Sequence, residues 1–108
     1  MKSKDALIAL GALAQETRLA VFRHLVVAGT EGAAAGAIAK ALKVEAPTLS
    51  FHLKELEHAG LIRQRRVSRS IIYAANYERM RGLLSYLMED CCRGRPEICS
   101  IDVACCAA

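Results

Sequence analysis

Apolar residues recur at helical spacing along most of this chain, and one stretch near the middle changes to a strand-like pattern. The spacing predicts five helices, over residues 4–12, 16–28, 33–43, 47–58 and 77–90. Gly60 is predicted to end the fourth helix, and Asn76 is the predicted N-cap of the fifth. Residues 61–66 and 70–75 instead indicate two short strands joined at Val67-Ser68-Arg69. Two helices separated by a tight turn and followed by a hairpin predict a mainly α fold with a β-hairpin wing, a winged helix-turn-helix.

Length and composition fit this fold class. The 108 residues suit one domain, and 54% of them are hydrophobic with only five Phe or Tyr, which favours packed helices. The apolar run of residues 6–14 is too short to span a membrane, so we expect a cytoplasmic protein without a membrane partner. Neither a catalytic triad, a paired acid motif nor a phosphate-binding glycine loop is visible in the sequence, so we do not expect an enzyme.

The fourth helix has the features of a recognition helix. Its buried stripe is predicted to be Leu49, Leu53 and Leu56, which turns the residues between them away from the core. Short hydroxyl side chains there can bond base edges or phosphates, and an aromatic ring can contact a thymine methyl. The predicted DNA-binding residues of this helix are Thr48, Ser50, Phe51, His52 and Lys54.

The predicted hairpin is strongly basic. It has four arginines within seven residues, Arg63, Arg65, Arg66 and Arg69, in a chain whose net charge is only +4. Strand alternation cannot place them all on one face, but the tip and both flanks are basic. Such a wing suits a phosphate backbone or a minor groove, so we predict DNA contacts from Arg65, Arg66 and Arg69.

The sequence also resembles a known family. The segments LAQETRLAVFRHL and IAKALKVEAPTLSFHLKELEHAGLIRQRRVSRSIIYAAN are similar to the arsenical-resistance repressors, often called ArsR/SmtB. The resemblance covers about residues 5–90 and implies a homodimeric winged-helix repressor of double-stranded operator DNA. It also implies that the first and last helices form the dimer interface. One departure is Ser68, where the family's wing turn often has a glycine before the arginine.

The fifth helix independently indicates a partner. Its apolar residues are spread more widely around the helix than a lone domain of this size requires, so a second copy would cover them. The predicted interface residues are Tyr77, Leu84, Leu87 and Met88. The alternative is that the first helix covers them within one chain.

All five cysteines follow the predicted helices, which divides the chain into a DNA-binding and dimerisation domain, residues 1–90, and a cysteine-rich tail, residues 91–108. Gly94 and Pro96 allow the chain to turn back and bring Cys99 towards the adjacent pair Cys91 and Cys92. Three soft thiolates suit trivalent arsenic or antimony, although soft ligands also select Cu(I), zinc and cadmium. A structural zinc site typically has four ligands in paired motifs, and that spacing is absent.

The resemblance makes arsenic the favoured ligand. One group of arsenic repressors has a vicinal cysteine pair after the last helix and a third cysteine a few residues later, and Cys91, Cys92 and Cys99 match it. The resemblance therefore implies a repressor that releases DNA when As(III), or alternatively Sb(III), binds these thiols. Sensing of antimonite, cadmium, zinc or thiol redox state by the same fold stays open, as does a cysteine-rich metal scavenger or chaperone. Cys105 and Cys106 have no predicted role.

Overall fold

The structure is a computed structural model that describes residues 1–89. The predicted tail lies outside the described residues, and so do its cysteines, Cys91, Cys92, Cys99, Cys105 and Cys106. The described elements are α1 (Ser3–Leu13), α2 (Glu16–Ala28), a 3-10 turn (Gly29–Glu31), β1 (Ala33–Ala34), α3 (Ala35–Leu42), α4 (Ala46–His58), β2 (Ile62–Val67), β3 (Ser70–Ala75) and α5 (Tyr77–Leu87). Within residues 1–89 no helix has the length and apolarity needed to cross a membrane.

The architecture confirms the predicted winged helix-turn-helix. The helices of this part of the chain lie close to their predicted positions, and the helix-turn-helix is formed by α3 and α4. The strands β2 and β3 form the predicted hairpin, with Val67 opposite Ser70 across a two-residue turn. Ser68 adopts a left-handed conformation at φ 58°, the region that a glycine would occupy with less strain.

The described residues also contain a third strand, which the sequence did not predict. The short strand β1 pairs antiparallel with β3, which gives the sheet order β1-β3-β2. The sequence pattern assigns Ala33 and Ala34 to the third helix because an alanine-rich segment has no strand signal of its own. Gly32 lets this segment approach the sheet, since at φ 72° a Cβ there would collide with the carbonyl oxygen of Tyr73.

The core lies where the helices meet the base of the wing. Its largest fully buried side chains come from α2, α3, α4, β2 and the residue before β2: Val21, Leu25, Ile38, Leu49, Leu53, Leu56, Leu61 and Ile62. Burying a Leu or Ile side chain stabilises the fold by about 1.5–3 kcal/mol relative to leaving it exposed. The three leucines of α4 therefore hold the recognition helix firmly against the rest of the domain, as the sequence predicted.

The end of α4 is joined directly to the start of α5. Gly60 ends α4 in the left-handed conformation at φ 78°, and the N–H groups of Gly60 and Leu61 donate to the carbonyls of Glu57 and Leu56. Asn76, the predicted N-cap of α5, accepts from the Arg79 N–H at 3.2 Å and donates through Nδ2 to the Gly60 carbonyl at 2.9 Å. One side chain thus satisfies backbone groups at both helix ends.

Replacing Asn76 tests this junction. We expect Asn76→Ala to lower the free energy of unfolding by about 1–2 kcal/mol, because it removes an N-cap acceptor and the hydrogen bond to the Gly60 carbonyl. Asn76→Asp is the matched control: it keeps the cap acceptor but has no Nδ2 donor, so it should lose less. Urea unfolding followed by circular dichroism measures both. Equal losses for the two variants would show that the cap contributes nothing.

Candidate nucleic-acid interface

Four of the five α4 residues that were predicted to contact DNA lie on the exposed side of this helix. The side chains of Thr48, Ser50, Phe51 and Lys54 are exposed, and 57% of Phe51 is accessible to solvent. Together these residues give one helix face two hydroxyls, an aromatic ring and a cation, the groups that major-groove recognition uses.

The structure does not place His52 on that face. It is only 8% exposed and lies in the buried stripe with Leu49, Leu53 and Leu56. The spacing explains the error, because positions 49, 52, 53 and 56 follow the i, i+3, i+4, i+7 pattern of a helix face. The prediction that the His52 side chain points away from the core was therefore wrong, and direct base contact does not fit its burial.

The arginines of the wing divide between the two faces of the hairpin. The residues of β2 alternate, so Arg63 and Arg65 lie on one face while Gln64 and Arg66 lie on the other. All four, and Arg69 at the tip, are exposed. Both flanks and the tip are basic, as the sequence predicted.

Two of these arginines have partners within the described chain. The Nη2 of Arg65 donates to the carbonyl oxygen of Glu31 at 2.9 Å, which ties β2 to the 3-10 turn before β1. Arg63 Nη2 lies 3.7 Å from a carboxylate oxygen of Glu78, an exposed pair that contributes little to stability. Arg65 therefore anchors the wing as well as adding charge to it, a role that the sequence did not indicate because the contact spans 34 residues.

A hydrogen bond also links the wing to the recognition helix. The amide of Gln64 on β2 donates to Glu57 Oε2 on α4 at 2.7 Å. Tyr73 lies opposite Gln64 on β3, and burial together with the nearby Glu57 charge raises the pKa of its hydroxyl. The hydroxyl of an ordinary tyrosine is already neutral at physiological pH, so this shift leaves its charge there unchanged.

The predicted dimer face is partly free. Leu84 and Leu87 are exposed on α5, whereas Tyr77 and Met88 are half-buried. The Tyr77 hydroxyl donates to the Val26 carbonyl at 2.9 Å, so this residue belongs mainly to its own domain. On α1, which contacts α5, three further apolar side chains are exposed: Leu7, Ile8 and Leu10. Helix α1 therefore does not cover Leu84 and Leu87 within the chain, and both helices leave apolar surface open.

Within residues 1–89 the structure has no group of three His, Cys, Asp or Glu side chains placed to hold a metal ion. The predicted ligands Cys91, Cys92 and Cys99 lie beyond this part of the chain.

Comparison with known proteins agrees with the fold and with the nature of this surface. Residues 13–65 match the family described as "Helix-turn-helix domain". No curated protein matches the chain by sequence. Helix-turn-helix regulators bind DNA and are not enzymes. The match therefore supports the prediction that this chain is not an enzyme.

Several solved structures of transcriptional regulators have a fold similar to this one. An ArsR-like transcriptional regulator from Rhodococcus sp. RHA1 is 26% identical, with a TM-score of 0.70 over 78% of this chain and 76% of its own. HlyU from Vibrio cholerae is 27% identical, with a TM-score of 0.64 over 81% and 97%. A homodimeric winged helix-turn-helix DNA-binding domain from Mycobacterium bovis, a possible ArsR-family regulator, is 26% identical, with a TM-score of 0.64 over 81% of each chain.

The two wing arginines Arg69 and Arg65 should behave differently when replaced. Arg69→Ala should weaken binding to specific and random DNA alike, with no change in stability. The slope of log binding constant against log salt concentration should become shallower by about 0.9 for each phosphate that the protein no longer neutralises. Arg65→Ala should also lower the free energy of unfolding, because it frees the Glu31 carbonyl. Fluorescence anisotropy at several salt concentrations and urea unfolding measure the two effects. Unchanged random-DNA binding in Arg69→Ala would exclude an electrostatic contact.

Proposed function

We propose that this chain, a helix-turn-helix transcriptional regulator whose structural relatives belong to the ArsR family, is a homodimeric repressor that releases its operator when As(III) binds. Regulation and DNA binding follow from the fold and the matches described above. Homodimerisation, repression, the inducer and a cytoplasmic location are the proposed refinements.

The exposed face of α4 next to a basic wing is the observation that carries the DNA-binding function. Phe51, Ser50 and Lys54 point away from a helix whose opposite side is locked into the core. The Gln64–Glu57 hydrogen bond joins the wing to that helix. In a winged helix-turn-helix, such a pair suits a major groove and an adjacent phosphate backbone. A metal scavenger would need neither the exposed face of α4 nor the basic wing.

The apolar surface of α1 and α5 supports a homodimer. Leu7 is 67% exposed and Leu87 is 53% exposed, and a second copy would remove both from water. A two-fold pair also fits the geometry of operator binding, because two recognition helices can then reach half-sites one turn of DNA apart, about 34 Å. The similar domain from Mycobacterium bovis is described as homodimeric.

The cysteines support the proposed inducer through their chemistry and their position in the sequence. Cys91 and Cys92 follow Leu87, the last residue of α5, by only a few positions. Three thiolates from Cys91, Cys92 and Cys99 would fill the three coordination positions of As(III). Since α5 contributes to the proposed dimer surface, a ligand bound next to its end would act on the spacing of the recognition helices. A coupling of about 1–3 kcal/mol between the two sites would be typical.

The dimer surface can be tested with a single charge. We expect Leu87→Glu to weaken dimerisation at least about tenfold, because it removes a leucine that the proposed dimer would bury and places a carboxylate in an apolar interface. Val27→Glu is the matched control, since Val27 is 86% exposed but lies on α2. Sedimentation velocity over a range of concentrations measures both. A dimer that tolerates Leu87→Glu as well as Val27→Glu would move the interface elsewhere.

The inducer is tested by release of bound DNA. A duplex selected from a random pool by the wild-type protein serves as operator, and release is followed by anisotropy during parallel titrations with arsenite, antimonite, cadmium, zinc and peroxide. Arsenite should release the wild type. Serine at any one of Cys91, Cys92 and Cys99 should preserve DNA binding and abolish that release.

The double variant Cys105→Ser/Cys106→Ser is the control and should respond like the wild type. A response that disappears in this control but persists in Cys99→Ser would identify a different third ligand. Release that persists after all five cysteines are replaced would rule out a cysteine-based switch. Release by cadmium, zinc or peroxide but not by arsenite would assign the repressor to another signal.

A further inference from the structure

His52 is a titratable group buried on the inner side of the recognition helix. It is 8% exposed, and its Nδ1 is buried without a hydrogen-bond partner in the part of the chain that the structure describes. Its ring meets that of Phe51 edge to face, with centroids 5.5 Å apart. One side of this imidazole therefore faces the core, while its neighbour in sequence faces outward on the proposed DNA surface.

The surroundings of His52 disfavour a positive charge. Arg18 on α2 lies close enough to act on its protonation, and the Nε of Arg18 is held at 2.7 Å by the carbonyl oxygen of Ala12 on α1. Glu55, one turn further along α4, is the opposing negative charge. In residues 1–89 these two are the charges that act on His52 from the elements packed around it. A proton on Nδ1 would create a buried N–H without an acceptor, next to a fixed cation.

We infer that His52 is a positioning residue for DNA binding, and that its neutral, core-facing imidazole holds α4 in the orientation that presents Phe51, Ser50 and Lys54 to DNA. Protonation expels the ring and turns or loosens the helix, so operator affinity falls in mild acid. The inference rests on the proposed DNA-binding function and adds a residue and a pH dependence to it.

The direction of the pH effect follows from the environment. Burial, and then the Arg18 charge, lower the pKa of His52 below its usual 6.5, while Glu55 opposes them. The unfolded chain takes up the proton first as the pH falls below 6.5, so the folded state loses stability from there down to the lowered pKa. Above 6.5 both states are neutral and this penalty is absent.

The expected loss of DNA affinity in acid is opposite in direction to the effect of added positive charge. His58 is exposed at the end of the same helix. A positive charge added at such an exposed position would strengthen binding to DNA. A binding surface governed only by net charge would therefore tighten in acid, whereas a surface that depends on a neutral His52 weakens.

The experiment measures the affinity of the full-length protein for its selected duplex from pH 8.0 to 5.5 at constant ionic strength. The wild type should lose affinity progressively as the pH falls below 6.5. His52→Leu, which fills the site with an uncharged side chain, should show no such loss. His58→Gln is the matched control and should lose affinity like the wild type.

Two further measurements keep the test valid if His52→Leu folds poorly. Glu55→Gln removes the charge that favours protonation, so its loss of affinity should begin at a lower pH than in the wild type. The imidazole Cε1–H signal of His52, followed by NMR without DNA, should titrate below pH 6.5 and over the same pH range as the loss of binding.

Parallel pH profiles of the wild type and His52→Leu, with tight binding of both at pH 7.5, would overturn the inference and leave the proposed function intact. An unchanged profile in Glu55→Gln, or a His52 signal that titrates at or above pH 6.5, would also overturn it. Failure of the wild type to bind any selected duplex at pH 7.5 would overturn the proposed function, and this inference with it.

Discussion

The rotation of α4 about its own axis determines what this domain can present to DNA. That rotation is fixed by four inward side chains, Leu49, His52, Leu53 and Leu56, whose spacing forms a single stripe. Because a helix has 3.6 residues per turn, burying this stripe forces Thr48, Ser50, Phe51 and Lys54 outward. The packing energy of the core is therefore also what orients the reading surface.

The rest of the molecule holds this helix at both its sides and its end. Arg18 links α2 to α1 through the Ala12 carbonyl, close to the inner side of α4. The wing is fixed to α4 through Gln64 and Glu57, and to the 3-10 turn through Arg65 and Glu31. These are single hydrogen bonds, each worth about 0.5–1.5 kcal/mol, so they set direction while the leucines supply most of the stability.

Much of this arrangement could be predicted from the sequence because it depends on local patterns. The bounds of α2 and β3, the three buried leucines of α4, the terminating Gly60 and the Asn76 cap follow from periodicity and capping chemistry. What could not be predicted depends on distant partners. Strand β1 exists only because β3 lies beside it, and the anchoring of Arg65 joins residues 34 positions apart.

His52 departs from its predicted position for a different reason. A histidine is compatible with either side of a helix. Its polar chemistry indicates the exposed face, whereas its spacing from the leucines indicates the buried one. The helical period alone places it with the leucines. A polar group retained in a core where a leucine would pack without an unpaired nitrogen has a cost to stability. That cost is the physical argument for a role beyond packing, because protonation can change the fit of His52 and cannot change that of its leucine neighbours.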